Sequence, residues 1–410
     1  MTRMPAPRAG ATLGLCAVAT LAVACGGTSG TRSPHGASAT PTACSAAVGS
    51  GCASPGASSS PSATSSATSS ATVAPAIPAP TPIAGFQAAS VTFVSSQDGW
   101  VLGTAGGSLA LARTQDGGTY WTGVTAPPTG FYTGPGSSGV SGIRFADQED
   151  GWAYGSQLWA THDGGASWAQ VTLPGLNSGG GMTPIQDLET AAGQVYAVYF
   201  GSSGFVIAGS PVGSNSWVAS STGISFGAGP IPMAQLVIQG SAGWAVENDR
   251  TVDGGSLLKS GIWSSWTPAC STAGGPATLA ASSAQNLIAA CDVGLYGSGP
   301  PAERAYTSTD GGSSFTELAA ALPASCQGSA TIASPSTSVA AAGCGAGIVT
   351  TFNGGGSWGT VYTGGSGTTI AYVGFTTTTQ GVAIATATGS AAGALLMTRN
   401  GGESWAPVTI

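Results

Sequence analysis

A repeated phrase leaves this chain few folds to choose from. ARTQDGGTYW (112–121), ATHDGGASW (160–168), TSTDGGSSF (307–315), TTFNGGGSW (350–358) and MTRNGGESW (397–405) share one grammar. A hydroxyl residue is followed two places later by Asp116, Asp163, Asp310, Asn353 or Asn400, then by Gly-Gly, and an aromatic closes the phrase. Two weaker copies, GSPVGSNSW (209–217) and KSGIWSSW (259–266), fill the gap in the middle. The closing aromatics Trp121, Trp168, Trp217, Trp266, Phe315, Trp358 and Trp405 are spaced by 47, 49, 49, 49, 43 and 47 residues. A constant period of this size means that one supersecondary unit is stacked on copies of itself, since a lone unit cannot bury its apolar face.

A second phrase runs in step with the first. DGWVLG (98–103), DGWAYG (150–155) and GWAVE (243–247) precede their boxes, and QVYAVY, NLIAAC, SVAAAG and GVAIAT hold the same place in the other units. Each unit offers four short apolar or alternating runs, as SVTFV, GWVLG, SLALART and YWTGV do in the first, and helix-period patterns are absent. Four strands per unit of about 47 residues predict an all-β, seven-bladed β-propeller over residues 85–410, with four antiparallel strands per blade. The 67 glycines suit tight turns and small-residue strands.

The phrases resemble the Asp-box, or BNR, repeat of sialidases, sortilin-type receptors, xyloglucan-degrading hydrolases and propellers of the photosystem-II assembly-factor type. The pairing of an "F…DGW…G" strand with a "T.DGG.(S/T)W" turn is most similar to the last group. The resemblance implies the fold and says little of the activity, because this fold carries unrelated functions.

Within the box, Gly164 and Gly165 suit the positive φ of a tight hairpin. The Asp163 carboxylate is placed to accept backbone N–H groups of its own turn, and Trp168 to bury its ring against a neighbouring unit. Asn353 and Asn400 replace the acid in two copies, which an acceptor tolerates and a general acid does not. The boxes, including Asp116, Asp310, Trp121 and Trp405, are therefore read as structural rivets, and no residue is assigned a catalytic role. His162 fills a variable slot and is expected to face solvent. The other histidine is His35, and there is no CxxC and no Gly-rich phosphate loop, so neither metal nor cofactor is expected. A sialidase, the enzymatic alternative, needs several arginines on a substrate carboxylate; the early Arg-Ile-Pro stretch of that family is missing, and Arg113 and Arg399 lie in the boxes.

In an antiparallel blade the first and third turns share one face, which collects the boxes together with Asp147, Glu149 and Asp150. On the other face the second turns are short, except ENDRTVDGG (247–255) and DVGLYGSGPPAERA (292–305). These two belong to consecutive units. They carry Glu247, Asp249, Arg250, Asp253, Asp292, Tyr296, Glu303 and Arg304, which form the candidate binding surface. Thr251 to Gly255 also has the look of a box; aligning GGSLLKS with GGSLALART instead leaves Asp253 in the loop.

The N-terminus reads as an export signal. Arg3 and Arg8 precede the apolar run Ala11 to Ala24, and Leu21-Ala22-Val23-Ala24-Cys25 resembles a bacterial lipobox, with residues 1–24 removed and Cys25 lipidated. Residues 25–84, rich in Ser, Thr, Ala and Pro, make a tether that as a flexible coil spans roughly 40 Å. Cys16 leaves with the signal, and six cysteines remain besides Cys25. Cys270 and Cys326 each precede the first strand of a unit, and Cys291 and Cys344 sit at its second strand, which suggests pairs 270–291 and 326–344 among fifteen connectivities. Cys44 and Cys52 would close a small loop in the tether. All 16 acids follow residue 97, against six bases there, a balance of −10 (6 − 16) that argues against nucleic acid. The expectation is a lipoprotein on the outer face of an actinobacterial cytoplasmic membrane, or a secreted protein if the lipobox is not used. Its partner would be a protein or a cell-envelope glycan, its role a non-enzymatic binding or assembly scaffold. An extracellular glycoside hydrolase and a bare structural protein are the rivals.

Overall fold

The computed structural model describes residues 81–176, 185–201, 204–220, 233–248, 252–272, 277–293, 302–326 and 331–410. Cys25, Cys44, Cys52, Asp249, Arg250 and Tyr296 lie outside the described residues, as do the leader and nearly all of the tether.

Among the described residues the chain is all but wholly β. Its strands fall into consecutive antiparallel quartets: 86–124, 140–171, 185–220, 233–266, 277–317, 331–363 and 368–407. Five quartets are separate four-stranded sheets, whereas the first and the last share one eight-stranded sheet through the pair Ala88 and Gly393. First strands of successive quartets lie against one another, so the sheets stand round a common axis with the first strand innermost. Second strands are buried along most of their length, as in Gly99–Ala105, and fourth strands such as Thr122–Val124 are largely exposed.

The apolar faces are buried between quartets. Each of the seven clusters among the described residues draws side chains from two neighbouring quartets. Trp100, Leu102 and Leu111 of the first pack on Ile143, Phe145 and Ala153 of the second. Tyr372, Ile384 and Met397 of the last pack on Val91, Phe93 and Trp121 of the first, so the ring closes by the contact used everywhere else. Two further links reinforce the closure: the Ile83 amide donates to the Ile410 carbonyl at 2.8 Å, and Arg399 Nη1 to the Gly117 carbonyl at 2.8 Å.

An innermost strand has a free edge, and unpaired edges invite association. Here side chains of the neighbouring first strand occupy it. Ser90 Oγ accepts the Ile143 amide at 3.1 Å, Asp187 Oδ2 accepts the Leu236 amide at 2.9 Å, and the Gln235 side chain bonds both the amide and the carbonyl of Leu279. The strand is bulged at the same place in three quartets, between Ala88 and Ser90, Val140 and Gly142, and Ile370 and Tyr372. The bulge brings backbones so close that a Cβ on Gly103 would lie 1.9 Å from the Gln87 carbonyl oxygen.

The Asp boxes are the hairpin turns between third and fourth strands. In each, the leading hydroxyl does two jobs: Thr161 Oγ1 donates to Asp163 Oδ1 at 2.7 Å and accepts the Gly165 amide at 2.9 Å. Oδ1 then accepts the Ser167 amide at 2.8 Å. Asn353 and Asn400 make the same acceptor bonds, to the amides of Ser357 at 2.9 Å and Ser404 at 3.1 Å. Gly164 and Gly165 have φ of 71° and 94°, a region closed to most side chains. Gly164 also donates to the Glu149 carbonyl at 2.9 Å, which places box and first turn at one end of the quartet. The two repeated phrases meet across the quartet boundary: Trp100 Nε1 donates to the Gly164 carbonyl of the next quartet at 3.2 Å, and Trp244 Nε1 to that of Gly311 at 3.0 Å.

In the fourth quartet the structure corrects the reading of the closing aromatic. Its turn is a two-residue hairpin, Ser260 and Gly261 with φ of 50° and 77°, joining Lys259 to Ile262. Trp263, not Trp266, packs back on the preceding quartet, edge-on to Tyr196 with ring centroids 5.8 Å apart. Trp266 faces forward and donates to the Gly312 carbonyl at 2.8 Å. The shorter turn shifts the strand, so the 49-residue spacing to Trp266 is not a structural equivalence. Both expected disulfides, Cys270–Cys291 and Cys326–Cys344, are formed, each within one unit.

Candidate functional site

The charged residues nearest the axis are Arg144 on the first strand of the second quartet (Val140–Phe145) and Asp187 and Glu189 on that of the third (Ile185–Ala191). Arg144 is 4% exposed, Glu189 1% and Asp187 fully buried. Arg144 Nη2 is hydrogen-bonded to Glu189 Oε1, and its Nε donates to the Leu188 carbonyl at 3.1 Å. Asp187 accepts the amides of Leu188 and Leu236, both at 2.9 Å. Burial, the largest single influence, works against the guanidinium charge, but Glu189 together with Tyr154, Tyr372 and Asp187 holds the arginine above its ordinary value. Tyr154 lies beside Asp187; burial first, and that negative charge second, push its phenol well up, so it stays neutral. Its ring covers Gly142, where a Cβ would meet it at 2.3 Å.

A cavity of about 200 Å³ opens beside this ion pair, lined by Phe93, Arg144, Phe145, Glu189 and the turn residues Ala146, Asp147 and Ala191 to Gly193. Those turns are first turns, so the cavity belongs to the face of the boxes. Sequence reasoning passed over Arg144, Asp187 and Glu189. The signal was present: GIRF and IQDLET put charge into first strands where SVTF and TTIAYV carry hydroxyls and apolar residues.

The candidate surface on the other face is built differently from expectation. Strands Ala242–Asn248 and Val252–Lys259 leave only residues 249–251 between them, and Leu287–Val293 and Ala302–Ser308 leave 294–301. Glu247, Asp292 and Glu303 thus stand in strands, at most 4% exposed, instead of in solvated loops. Asp253 also belongs to a strand, at the register shift opposite Glu247 and Asn248. Asp292 and Glu303 are cross-strand partners, and burial raises Asp292 above the usual carboxylate range. Arg304 is exposed and pairs with Glu317 at 2.5 Å.

His162 does not simply face solvent. Its side chain is 40% exposed, with Nδ1 2.5 Å from Asp150 Oδ1 and Nε2 3.2 Å from Asn215 Nδ2, joining the second quartet to the third. Arg113 lies over the Trp100 ring, 4.7 Å from its centroid, and 3.8 Å from Asp98. The Asp boxes are structural in geometry: hydrogen bonds from the Ser167 hydroxyl and amide, then from Thr161, hold Asp163 down at about 2.

Four-stranded antiparallel sheets packed face to face round an axis, innermost strand first, define a β-propeller. No protein-family model matches the sequence, and no curated protein matches it as a relative. Solved structures do share the fold. YCF48 bound to D1 peptide is 18% identical, with a TM-score of 0.54 over 78% of this chain and 95% of that one. YCF48 from Cyanidioschyzon merolae is 15% identical, with a TM-score of 0.52 over 78% and 97%. A polysaccharide lyase, the PL25 ulvan lyase, is 11% identical, with a TM-score of 0.49 over 80% and 97%. At these identities the likeness is one of fold.

Proposed function

We propose that this protein is a non-enzymatic binding or assembly scaffold: a seven-bladed propeller held by a flexible tether to a lipidated Cys25 on the cell surface. The observation that supports it is the state of the charges at the axis. Arg144 is engaged by Glu189 and the Leu188 carbonyl, and Asp187 by two backbone amides. These bonds join neighbouring first strands. A sialidase needs arginines turned to a substrate carboxylate, and a two-carboxylate glycosidase needs an acid whose proton is available for transfer. The test is capture from intact cell envelopes with the full chain as bait, run beside an assay for sugars released from the same envelopes. The reading expects a reproducible protein or glycan partner and no release. Sugar release that disappears in Glu189→Gln would overturn it in favour of the hydrolase.

A further inference from the structure

The outer rim of the ring is uneven. The fourth strands Thr122–Val124, Ala169–Val171, Val218–Ser220, Thr316–Glu317 and Ala406–Pro407 run for only two or three residues. Short edges, charges such as Glu317 and prolines such as Pro407 keep foreign strands away. Gly359–Thr363 is longer, but its pairing is broken by a register shift opposite Ile348 and Val349. Ile262–Trp266 has none of these guards. It runs for five residues in unbroken register, ends its sheet, and holds neither a charge nor a proline. Ile262 is 70% exposed on it.

The hairpin fixes which backbone groups are free. Ser260 and Gly261, both at positive φ, make a two-residue turn, and such a turn is flanked by a hydrogen-bonded pair, here Lys259 and Ile262. Alternation then turns the N–H and C=O of Ile262, Ser264 and Trp266 inward to the third strand, and those of Trp263 and Ser265 outward. The outward groups meet no other strand of the blade. Side chains alternate as well, so Ile262 and Ser264 share the forward face with Trp266.

This pattern is complementary to itself. When a second copy is set antiparallel with Ser264 opposite Ser264, Trp263 of each copy falls opposite Ser265 of the other. That is the pair whose outward N–H and C=O groups can bond one another. On the forward face Ile262 falls opposite Trp266, a β-branched and aromatic pair of the kind that stabilises sheets, and two small hydroxyls meet on the axis. A two-fold dimer requires the same patch on both copies. Charge agrees: bodies at −10 (6 − 16) repel, and this hairpin and strand, from Lys259 to Trp266, carry one positive charge and no acid. We propose that Ile262–Trp266 pairs with the same strand of a second copy, joining two blades into one continuous sheet. Five residues a side are fewer than the roughly 20–30 of a standard interface, so the dimer is weak and reversible. The inference goes beyond the scaffold reading and depends neither on its partner nor on the lipid anchor.

The test is sedimentation equilibrium of the purified full chain in its Cys25→Ala form, so that lipid cannot drive association, from about 10 µM to about 1 mM. A monomer–dimer equilibrium is expected, and it should tighten as added salt screens the like charge. Ile262→Lys, and separately Ser265→Pro, which removes an outward N–H and no bond within the blade, should each weaken it at least tenfold at unchanged circular dichroism. Val218→Lys, at an equally exposed apolar position on another rim strand, should leave it unchanged. Under a mild oxidant, Ser264→Cys should form a covalent dimer across the axis faster than Ser265→Cys does. The proposal is overturned if the chain stays monomeric to about 1 mM, if a folded Ile262→Lys dimerises as the parent does, or if Val218→Lys weakens association equally. Capture of a foreign partner that Ser265→Pro abolishes, by a chain that remains monomeric, would also overturn it and give the edge to another protein's strand.

Discussion

Arg144 and Glu189 offer the sharpest check on how the ring is held. Each is almost fully buried, so removing one partner strands the other charge. Breaking a buried pair in this way costs about 3–5 kcal/mol, whereas replacing both partners is often close to neutral. Unfolding entropy of about 2.1 cal/mol/K per residue, over a body of roughly 330 residues, gives about 0.7 kcal/mol/K. Arg144→Met or Glu189→Gln alone should then lower Tm by about 4–7 °C. In the double variant the stranded charge is gone and the Leu188 carbonyl loses its donor, a loss of about 1–3 kcal/mol. Its Tm should therefore lie at or above that of either single variant. Scanning calorimetry and urea titration of all four proteins, disulfides intact, measure the cycle. Strict additivity of the two single effects would refute the claim that the pair is a buried clamp, and so would a single variant indistinguishable from the parent.

Three further outcomes are expected. Asp163 and Asp310 are held at about 2, below the 3.8 of a free carboxylate; with the folded value depressed, their contribution is present above pH 4 and lost as pH falls towards 2. Asp163→Asn, the residue found at 353 and 400, should keep the fold and flatten the acid limb of the melting curve, while Thr161→Val should destabilise by about 1–3 kcal/mol by orphaning the buried Gly165 amide; equal acid sensitivity of parent and Asp163→Asn would contradict this. Cys25→Ala should move the protein from the membrane fraction to the medium, measured by fractionation and blotting, and retention in the membrane would count against the lipid anchor. Shortening only residues 249–251 and 294–301, the links between the second and third strands of the fourth and fifth quartets, should leave the propeller folded yet abolish capture of the partner found by pull-down; capture at parental affinity would put the partner site elsewhere, with the turn of Asp147, Glu149 and Asp150 next to be tested.

What the sequence by itself determined was whatever a unit settles within its own length. The box is a closed local circuit of hydroxyl, carboxylate or amide, two glycines and an aromatic, and a turn of about eight residues leaves it one geometry. Repetition then dictated stacking, and the disulfides were legible because each closes within one unit. Tertiary structure alone decided what meets across units. That Trp100 reaches the next box, that Arg144 meets Glu189 rather than solvent, and that Trp263 takes the place expected of Trp266 depend on how one sheet is turned against the next. Glu247, Asp292 and Glu303 looked like loop charges because acids are ordinarily solvated. They are buried because their strands run on past the point where composition suggested a turn, and the neighbouring sheets close over them. Periodicity fixes which residues occupy equivalent places, whereas the environment of each place is set by the packing of different neighbours.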